Sequence, residues 1–146
     1  MPDKLTMMLS LQHSLQKDSY GIDPKEMEDA DRVAFITWNV LALTDELHEA
    51  LGEIGWKPWA TSRHINVEAL QGELVDAWHF FMNLCLAAGL TEDVLLRKYL
   101  VKNAINASRQ KDGYDGVSTK CPQCQRALDD PATLCTQYAC EESFNE

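Results

Sequence analysis

Residues 36–54, ITWNVLALTDELHEALGEI, decide the fold because they combine a helical apolar repeat with two acidic residues three positions apart. Apolar side chains recur every three or four positions, at Ile36, Val40, Leu43, Leu47, Ala50 and Ile54. This spacing places them on one face of an α-helix. The segment 55–58, GWKP, follows and is expected to end the helix. We therefore predict a long amphipathic helix over about residues 29–53.

Three further helices are expected around this one. Their expected spans are about 4–17, 64–88 and 91–110. The first has an apolar face made by Met8, Leu11 and Leu15. The second ends where Gly89 occupies the position of a C-cap glycine, and Thr91 is suited to be the N-cap of the third. Long amphipathic helices with short connections predict an all-α, antiparallel four-helix bundle.

The bulk composition excludes several classes of function. The chain has 146 residues, of which 45% are hydrophobic, and its formal net charge is -10. This acidity argues against stable nucleic-acid binding, because affinity for phosphate backbones comes from Lys and Arg. No apolar stretch reaches the ~18 residues that a membrane span needs, and residues 1–10 lack the order of a signal peptide. We expect a soluble protein of the cytoplasm, or of the host cytoplasm if its source is viral.

Two acidic pairs stand on successive helices, Glu46 with Glu49 and Glu73 with Asp76. Both carboxylates of a pair share one helix face, where like charges repel each other. A divalent cation between the helices would offset this repulsion. Four oxygen donors suit a hard cation, and Mg²⁺ would clamp phosphate oxygens and activate a water molecule. A solvated acidic face is the alternative that the spacing leaves open.

On these residues the chain resembles the all-α nucleotide pyrophosphohydrolases, which include the MazG-like enzymes and the dimeric dUTPases. The pattern E-x-x-E followed by E-x-x-D belongs to the whole superfamily, whereas further segments are closer to the dimeric dUTPases. These segments are 38–39 (WN), 43–50 (LTDELHEA), 56–59 (WKPW), 73–80 (ELVDAWHF) and 99–110 (YLVKNAINASRQ). The resemblance covers roughly residues 8–116. One departure is Gln16, where the family pattern leads us to expect Asn.

The resemblance implies hydrolysis of a nucleoside triphosphate between its α- and β-phosphates. It implies that the four carboxylates hold Mg²⁺, and that Glu46 or Glu49 also positions or deprotonates the attacking water. It implies substrate contacts from Gln12, Trp38, Asn39, Lys57, Lys102, Asn103, Asn106, Arg109 and Tyr114. In this set Gln12 reads the base edge, the cations bind phosphates and Tyr114 closes over the triphosphate. A homodimer or a dimer of dimers is implied as well.

The substrate base has several possible identities. The similarity to dimeric dUTPases favours dUTP, and the alternative is a MazG-like activity on dCTP or another canonical or modified deoxynucleotide. A hypothesis from another class is an inactive bundle that recruits a partner through a zinc-binding tail at its C-terminus. His79 is as compatible with helix packing as with a functional role.

Four cysteines near the C-terminus form a second motif, outside the family resemblance. Cys121, Cys124, Cys135 and Cys140 follow the pattern C-x₂-C, ten residues, C-x₄-C, which resembles a zinc ribbon. Four thiolates bind Zn²⁺ tetrahedrally in a structural site. Two disulfides or free thiols are the alternatives. A change in composition at 118–120 divides the chain into a catalytic domain, 1–117, and a zinc-binding tail, 118–146.

Overall fold

The computed structural model describes residues 3–117, 120–122 and 124–128 of the chain. These residues form four α-helices and a single π-helical turn. They are α1 (Lys4–Ser14), the π-turn (Leu15–Ser19), α2 (Asp29–Gly52), α3 (Val67–Ala87) and α4 (Glu92–Lys111). The described part of the chain has two isolated β-bridges and no strand. The predicted all-α fold is confirmed, and each predicted helix matches an observed one to within a few residues at its ends.

Contacts divide the chain into two compact units, Met1–Asp93 and Val94–Glu146. The first unit holds α1, α2 and α3, and the second holds most of α4 with the described residues after it. The predicted division into residues 1–117 and 118–146 concerns a tail of which only 120–122 and 124–128 are described. That division stays a prediction. No single described helix is long and apolar enough to cross a membrane, although α3 and α4 taken as a pair meet that criterion by length and composition alone.

The first helix buries a polar face and exposes much of its apolar one. Leu9, Gln12 and Gln16 are buried, and they follow one another at helical spacing into the π-turn. The apolar face predicted for this helix is not the buried one, since Met8, Leu11 and Leu15 are 37%, 63% and 39% exposed. The buried amides of α1 therefore need hydrogen-bond partners inside the first unit.

The apolar core of the first unit lies between α1 and α3. Leu9 packs with three residues of the α3 C-terminal half, and Leu5, Trp78 and Leu90 pack around them. The three are Met82, Cys85 and Leu86. Burial raises the pKa of the Cys85 thiol. The largest helix pairing in the unit is that of α2 with α3, which brings their acidic faces together.

The C-terminal end of α3 has the cap that the sequence predicts. Gly89 has a φ of +66°, and the Leu90 backbone N–H donates to the Cys85 carbonyl at 2.8 Å. This is the left-handed cap that glycine favours. Arg32 of α2 adds a second cap, because its guanidinium donates to the carbonyls of Ala87 and Met27 at 2.7 Å. A cation is favoured at this negative end of the helix.

The connection between α2 and α3 is a closed loop. An antiparallel bridge joins Ile54 to Ile65, and the Gly55 N–H donates to the His64 carbonyl at 2.8 Å. Inside the loop the Arg63 guanidinium donates to four backbone carbonyls, those of Lys57, Pro58, Ala60 and Ser62. A Cβ at Gly55 would lie 2.7 Å from the Ser62 carbonyl oxygen. Only glycine therefore fits at this position without a shift of the backbone.

Candidate active site

Three of the four predicted metal ligands converge between α2 and α3. One carboxylate oxygen from each of Glu46, Glu49 and Glu73 lies within 4.8 Å of the other two. Glu46 and Glu49 are one helical turn apart on α2, and Glu73 is on α3. The side chain of Asp76 follows Glu73 by one turn, and its charge acts on Glu46. The two acidic pairs, each at i, i+3 spacing, thus form one acidic site, because α2 and α3 present their acidic faces to each other.

The electrostatics of this site favour a bound cation. Desolvation raises the pKa of the Glu46 carboxyl, and the negative charges of Glu49, Asp76 and Glu73 raise that pKa further. A hydrogen bond with Glu73 acts in the same direction. The negative carboxylates repel one another unless a cation lies between them. All four donors are oxygen atoms, so the residues present fit a hard divalent ion such as Mg²⁺.

A cavity of about 1080 Å³ adjoins the acidic site. Its walls come from α1 and the π-turn, from segment 20–27, and from α2 and α3. Asp76 lines it, so the acidic site and the cavity share a carboxylate. Three aromatic side chains, Phe35, Trp38 and Phe80, line it as well. A flat heterocyclic ring suits such a wall, because aromatic faces favour offset stacking.

A chain of hydrogen bonds between side chains forms the polar part of the cavity wall. His79 Nδ1 lies 2.6 Å from Gln12 Oε1, and Gln12 Nε2 donates to Asn83 Oδ1 at 2.8 Å. Asn83 Nδ2 donates to Asn39 Oδ1 at 2.7 Å, and Asn39 Nδ2 donates to the Phe35 carbonyl at 2.8 Å. The three amides are at least nine-tenths buried. The chain therefore connects α3, α1 and α2 through three buried amides, with the exposed His79 at its end.

The substrate contacts predicted in the first unit lie in different surroundings. Gln12, Trp38 and Asn39 all line the cavity, as a base-binding role requires. Trp38 is 75% exposed, so its ring is accessible to a ligand. Gln12 and Asn39, in contrast, use their amide groups in the internal chain. Lys57 is an exposed residue of the α2–α3 loop, with its ammonium 5.8 Å from the centroid of the Trp56 ring.

Sequence reasoning missed several residues of the cavity wall. They are Gln16, Phe35, Phe80 and Asn83, and for His79 it left the role open. A signal was present for His79 and for Asn83, because His79 follows Asp76 by three positions and Asn83 follows His79 by four. Residues at these spacings share a helix face with the acidic pair. For Gln16 the signal was its spacing of four from Gln12.

The remaining predicted substrate contacts belong to the second unit. Lys102, Asn103, Asn106 and Arg109 are residues of α4, and Tyr114 follows the helix. The Arg109 guanidinium lies 5.3 Å from the centroid of the Tyr114 ring, and the Tyr114 N–H donates to the Arg109 carbonyl at 2.9 Å. This arrangement is a cation–π contact. It places one cation and one phenol side by side at the end of α4.

Two of the four predicted zinc ligands lie in a described turn. The Gln125 N–H donates to the Cys121 carbonyl at 2.9 Å, and the Cys121 N–H donates to the Arg126 carbonyl at 2.8 Å. A bridge between Lys120 and Ala127 closes the turn, and Gln125 has a φ of +58°. The other two predicted ligands, Cys135 and Cys140, lie outside the described residues.

An all-α unit with a carboxylate cluster next to a large cavity is the arrangement expected of a helical nucleotide hydrolase, and sequence comparison gives the family. The dUTPase family model matches residues 4–94, so the chain belongs to this dUTPase family. The chain is therefore a nucleoside triphosphate diphosphatase, as predicted. Members of the family typically depend on divalent metal ions.

Two phage proteins are similar to this chain. The dCTP pyrophosphatase of Enterobacteria phage T4 is 27% identical over 143 residues, which cover 77% of this chain and 83% of the phage protein. The dCTP pyrophosphatase of Enterobacteria phage LZ5 is 31% identical over 93 residues, which cover 49% of this chain and 54% of that protein. No solved structure matches the chain significantly.

Proposed function

We propose that this protein hydrolyses a pyrimidine deoxynucleoside triphosphate to the monophosphate and pyrophosphate, with dCTP as the first substrate. The observation that carries the proposal is the convergence of Glu46, Glu49 and Glu73 beside a cavity with aromatic walls. The sequence prediction put dUTP first, and the family name favours it. Both similar phage proteins are dCTP pyrophosphatases, which favours dCTP. We therefore keep dUTP as the second candidate.

Glu46, Glu49, Glu73 and Asp76 would hold the Mg²⁺. The ion would neutralise phosphate charge and lower the pKa of a water molecule. Glu49 is the exposed member of the α2 pair, whereas Glu46 is half-buried. Glu49 can therefore reach a solvent molecule, and we assign to its carboxylate the acceptance of the proton from the attacking water. Glu46 and Glu73 would serve as ligands of the ion, whose positive charge would offset the repulsion between their carboxylates.

Positive and polar residues outside the acidic cluster would bind the rest of the substrate. Lys57, Lys102 and Arg109 are assigned to the phosphates, where cations stabilise the charge of leaving pyrophosphate. Asn103 and Asn106 are assigned to the sugar and the metal side of the substrate, and Tyr114 to closure over the triphosphate. The contact between Arg109 and Tyr114 supports joint action by these two side chains.

The first test measures pyrophosphate release with Mg²⁺ over a panel of canonical and modified deoxynucleoside triphosphates. Glu49→Gln should lower turnover by about 10²- to 10⁴-fold, because loss of a positioned base has an effect of this size. Asp45→Asn is the matched control, since Asp45 is an exposed neighbour on α2 that is not part of the cluster. No turnover of any nucleotide by the unsubstituted protein would contradict the proposal. Equal activity of Glu49→Gln and Asp45→Asn would contradict the metal-site assignment.

Assembly as a homodimer is part of the proposal. Large apolar side chains are exposed on both α2 and α3, which supports a shared apolar surface between two copies. They include Val33, Leu41, Leu47, Leu74 and Val75. Light scattering coupled to size-exclusion chromatography should give twice the monomer mass, and a monomer at micromolar concentration would contradict the assignment. Because both relatives are phage proteins, we also propose action in the cytoplasm of an infected host.

We propose that the cysteine tail binds one structural Zn²⁺. The described residues 120–122 and 124–127 support this, because the bridge between Lys120 and Ala127 and the backbone hydrogen bonds of Cys121 keep Cys121 and Cys124 in one turn. Elemental analysis of the purified full chain should give about one zinc per chain, since a segment this small gains its folding energy from the metal. Cys121→Ser should lose the zinc, whereas Cys85→Ser should keep it. Zinc below about half an equivalent in the unsubstituted protein would contradict the assignment.

A further inference from the structure

A second cavity, of about 500 Å³, lies between the N-terminal half of α1 and the C-terminal end of α3. Its volume is within the range of small-molecule sites, about 300–1,000 Å³. It shares no lining residue with the larger cavity beside the acidic cluster. Residues of its wall include Thr6, Leu9, Ser10, Lys25, Arg32 and Leu86. The proposed hydrolysis makes no use of this space.

The second cavity is cationic, in a chain with a formal net charge of -10. Among the described residues, Lys25 and Arg32 line it together with one carboxylate, that of Glu92. Glu92 is the first residue of α4, where the helix dipole favours a negative charge. The larger cavity is the opposite case, since four carboxylates and no described Lys or Arg line it. A positive region in an acidic protein favours an anionic ligand that binds without a metal ion.

Both cations have N–H groups available for a ligand. The Arg32 guanidinium donates to the carbonyls of Ala87 and Met27 at 2.7 Å, and these two bonds use two of its five N–H groups. The same bonds hold the guanidinium in one position. In the described part of the chain, no salt bridge or hydrogen bond engages the Lys25 ammonium. A phosphate or a carboxylate has enough oxygen lone pairs to bind both cations.

The remaining wall of the second cavity is largely aliphatic. Leu9 and Leu86 are buried core residues, and Leu90 is half-buried beside them. Among the described residues, no aromatic side chain lines this cavity, whereas Phe35 and Trp38 line the larger one. A nucleobase would therefore find no ring on which to stack. An aliphatic body would cover the leucines and remove their apolar surface from water.

One short turn contributes to the walls of both cavities. Lys25 lines the second cavity, whereas Asp23, Glu26 and Met27 line the larger one. The turn is tight, because the Lys25 N–H donates to Asp23 Oδ1 and the Glu26 N–H donates to the Asp23 carbonyl, both at 3.1 Å. Arg32 fastens its end through the Met27 carbonyl. A ligand that fixes Lys25 and Arg32 therefore also fixes part of the wall of the larger cavity.

We propose that the second cavity is an effector site for a small molecule that carries a phosphate or carboxylate group on an aliphatic body. Lys25 and Arg32 bind the anionic group, and Leu9, Leu86 and Leu90 bind the body. Both cavities are formed in the same structure, so each ligand stabilises a form that binds the other. The coupling is therefore positive, and linkage makes it reciprocal. The binding site is independent of the proposed function, whereas its coupling to nucleotide binding rests on it.

The first experiment titrates the metal-free full chain calorimetrically with hexyl phosphate and with hexanoate, two amphiphiles that differ in the anionic group. Hexan-1-ol supplies the body without the charge, and inorganic phosphate supplies the charge without the body. We expect at least one amphiphile to bind at one site per chain, about tenfold or more tighter than either partial probe. The tighter amphiphile identifies the anionic group. Absence of saturable binding by both amphiphiles, or equal binding of hexan-1-ol, would overturn the site.

Two variants place this binding in the second cavity. Ser10→Leu fills the cavity from α1, and Lys25→Gln removes one cation; both residues are exposed. Each substitution should weaken binding of the tighter amphiphile by about tenfold or more, with an unchanged circular dichroism spectrum. The matched controls are Ser14→Leu, one turn further along α1, and Lys4→Gln, since neither residue lines either cavity. Unchanged binding in Ser10→Leu or in Lys25→Gln would contradict the assignment.

The second experiment measures the coupling. It compares the Kd of the non-hydrolysable α,β-imido analogue of dCTP, with Mg²⁺, in the absence and presence of a saturating concentration of the tighter amphiphile. We expect the Kd to fall by about fivefold, and this effect to vanish in Ser10→Leu. An unchanged Kd would overturn the coupling. A Kd that rises equally in the unsubstituted protein and in Ser10→Leu would also overturn it, because the amphiphile would then compete at the acidic cluster.

These readouts distinguish failure of the inference from failure of the proposed function. The first titration contains neither nucleotide nor metal ion, so its result does not depend on hydrolysis. Turnover of dCTP or dUTP without binding of either amphiphile would overturn the effector site and leave the hydrolase assignment intact. Absence of both nucleotide binding and turnover would overturn the proposed function and the coupling, whereas saturable amphiphile binding that is lost in Ser10→Leu would still support the site.

Discussion

The side chain of Asn83 donates to Oδ1 of Asn39 at 2.7 Å, and this bond joins α3 to α2 in the interior of the first unit. Both residues are buried, and both also bond to a further partner, Gln12 in one case and the Phe35 carbonyl in the other. Each group in this chain accepts with its oxygen and donates with its nitrogen. The orientation of every amide is therefore determined by the amide before it.

Asn83→Ala should destabilise the protein by about 3 kcal/mol, because it leaves the Gln12 nitrogen and the Asn39 oxygen buried without partners. Urea unfolding followed by far-UV circular dichroism gives the difference. Asn66→Ala is the control: the amide of Asn66 bonds to Glu53 at 2.8 Å in an exposed position, where its loss should cost less than about 1 kcal/mol. Similar losses in the two variants would show that the buried chain contributes no more than a surface bond.

Gly55→Ala should destabilise the α2–α3 loop, since the added Cβ would meet the Ser62 carbonyl oxygen at 2.7 Å and the Arg63 Cα at 2.9 Å. Backbone atoms cannot move away as a flexible side chain would, so we expect a loss of about 1–3 kcal/mol. The matched control is Gly72→Ala in the interior of α3, where nothing lies within 4 Å of the new Cβ. That substitution should stabilise by up to about 1 kcal/mol, because Ala is the better helix former. Thermal unfolding of both variants checks the opposite signs.

Asp23→Asn should lower the Tm at neutral pH by an amount that disappears in acid. Hydrogen bonds from Lys17, His13 and the Lys25 backbone N–H lower the pKa of the Asp23 carboxyl. A carboxyl with a lowered folded-state pKa stabilises the protein above its ordinary pKa of ~4 and loses this effect as the pH falls through the folded value. The Tm difference between the two proteins should thus shrink below about pH 4.

The control for this pH dependence is Asp18→Asn, since no hydrogen bond to the Asp18 side chain occurs in the described part of the chain. It should show little difference in Tm from the unsubstituted protein at any pH. A constant effect of Asp23→Asn from pH 7 to pH 3 would mean that the contacts of Asp23 do not depend on its charge.

Glu46→Gln should raise the Tm of the metal-free protein and remove the response to Mg²⁺. Desolvation, together with repulsion from Glu49, Asp76 and Glu73, raises the pKa of Glu46, and a neutral amide removes both of these costs. In the unsubstituted protein Mg²⁺ should raise the Tm, because a ligand that binds only the folded state stabilises it. Thermal shift assays with and without EDTA measure both effects, with Asp45→Asn as the control. An equal Mg²⁺ response in Glu46→Gln would count against this residue as a ligand.

The sequence was sufficient to predict the structural elements that depend only on residues close together in the chain. The span of α2 follows from side chains three and four positions apart, and the cap at Gly89 follows from the φ that only glycine adopts at low cost. The acidic pairs are local in the same sense, and their convergence on one site needed only that two neighbouring helices pack with these faces together. For this reason three of the four predicted ligands are found within 4.8 Å.

Only the tertiary structure decided which buried polar side chains bond to one another inside the protein. Gln12 and Gln16 are the same residue on the same face, one turn apart, and no local rule distinguishes them. Gln12 meets Asn83 and His79, which are 71 and 67 positions away in the chain, whereas Gln16 in the π-turn meets neither. The same packing exposes Leu11 and buries amides in its place. Hydrogen bonds between such distant residues depend on how three helices pack, and a local sequence pattern does not predict that packing.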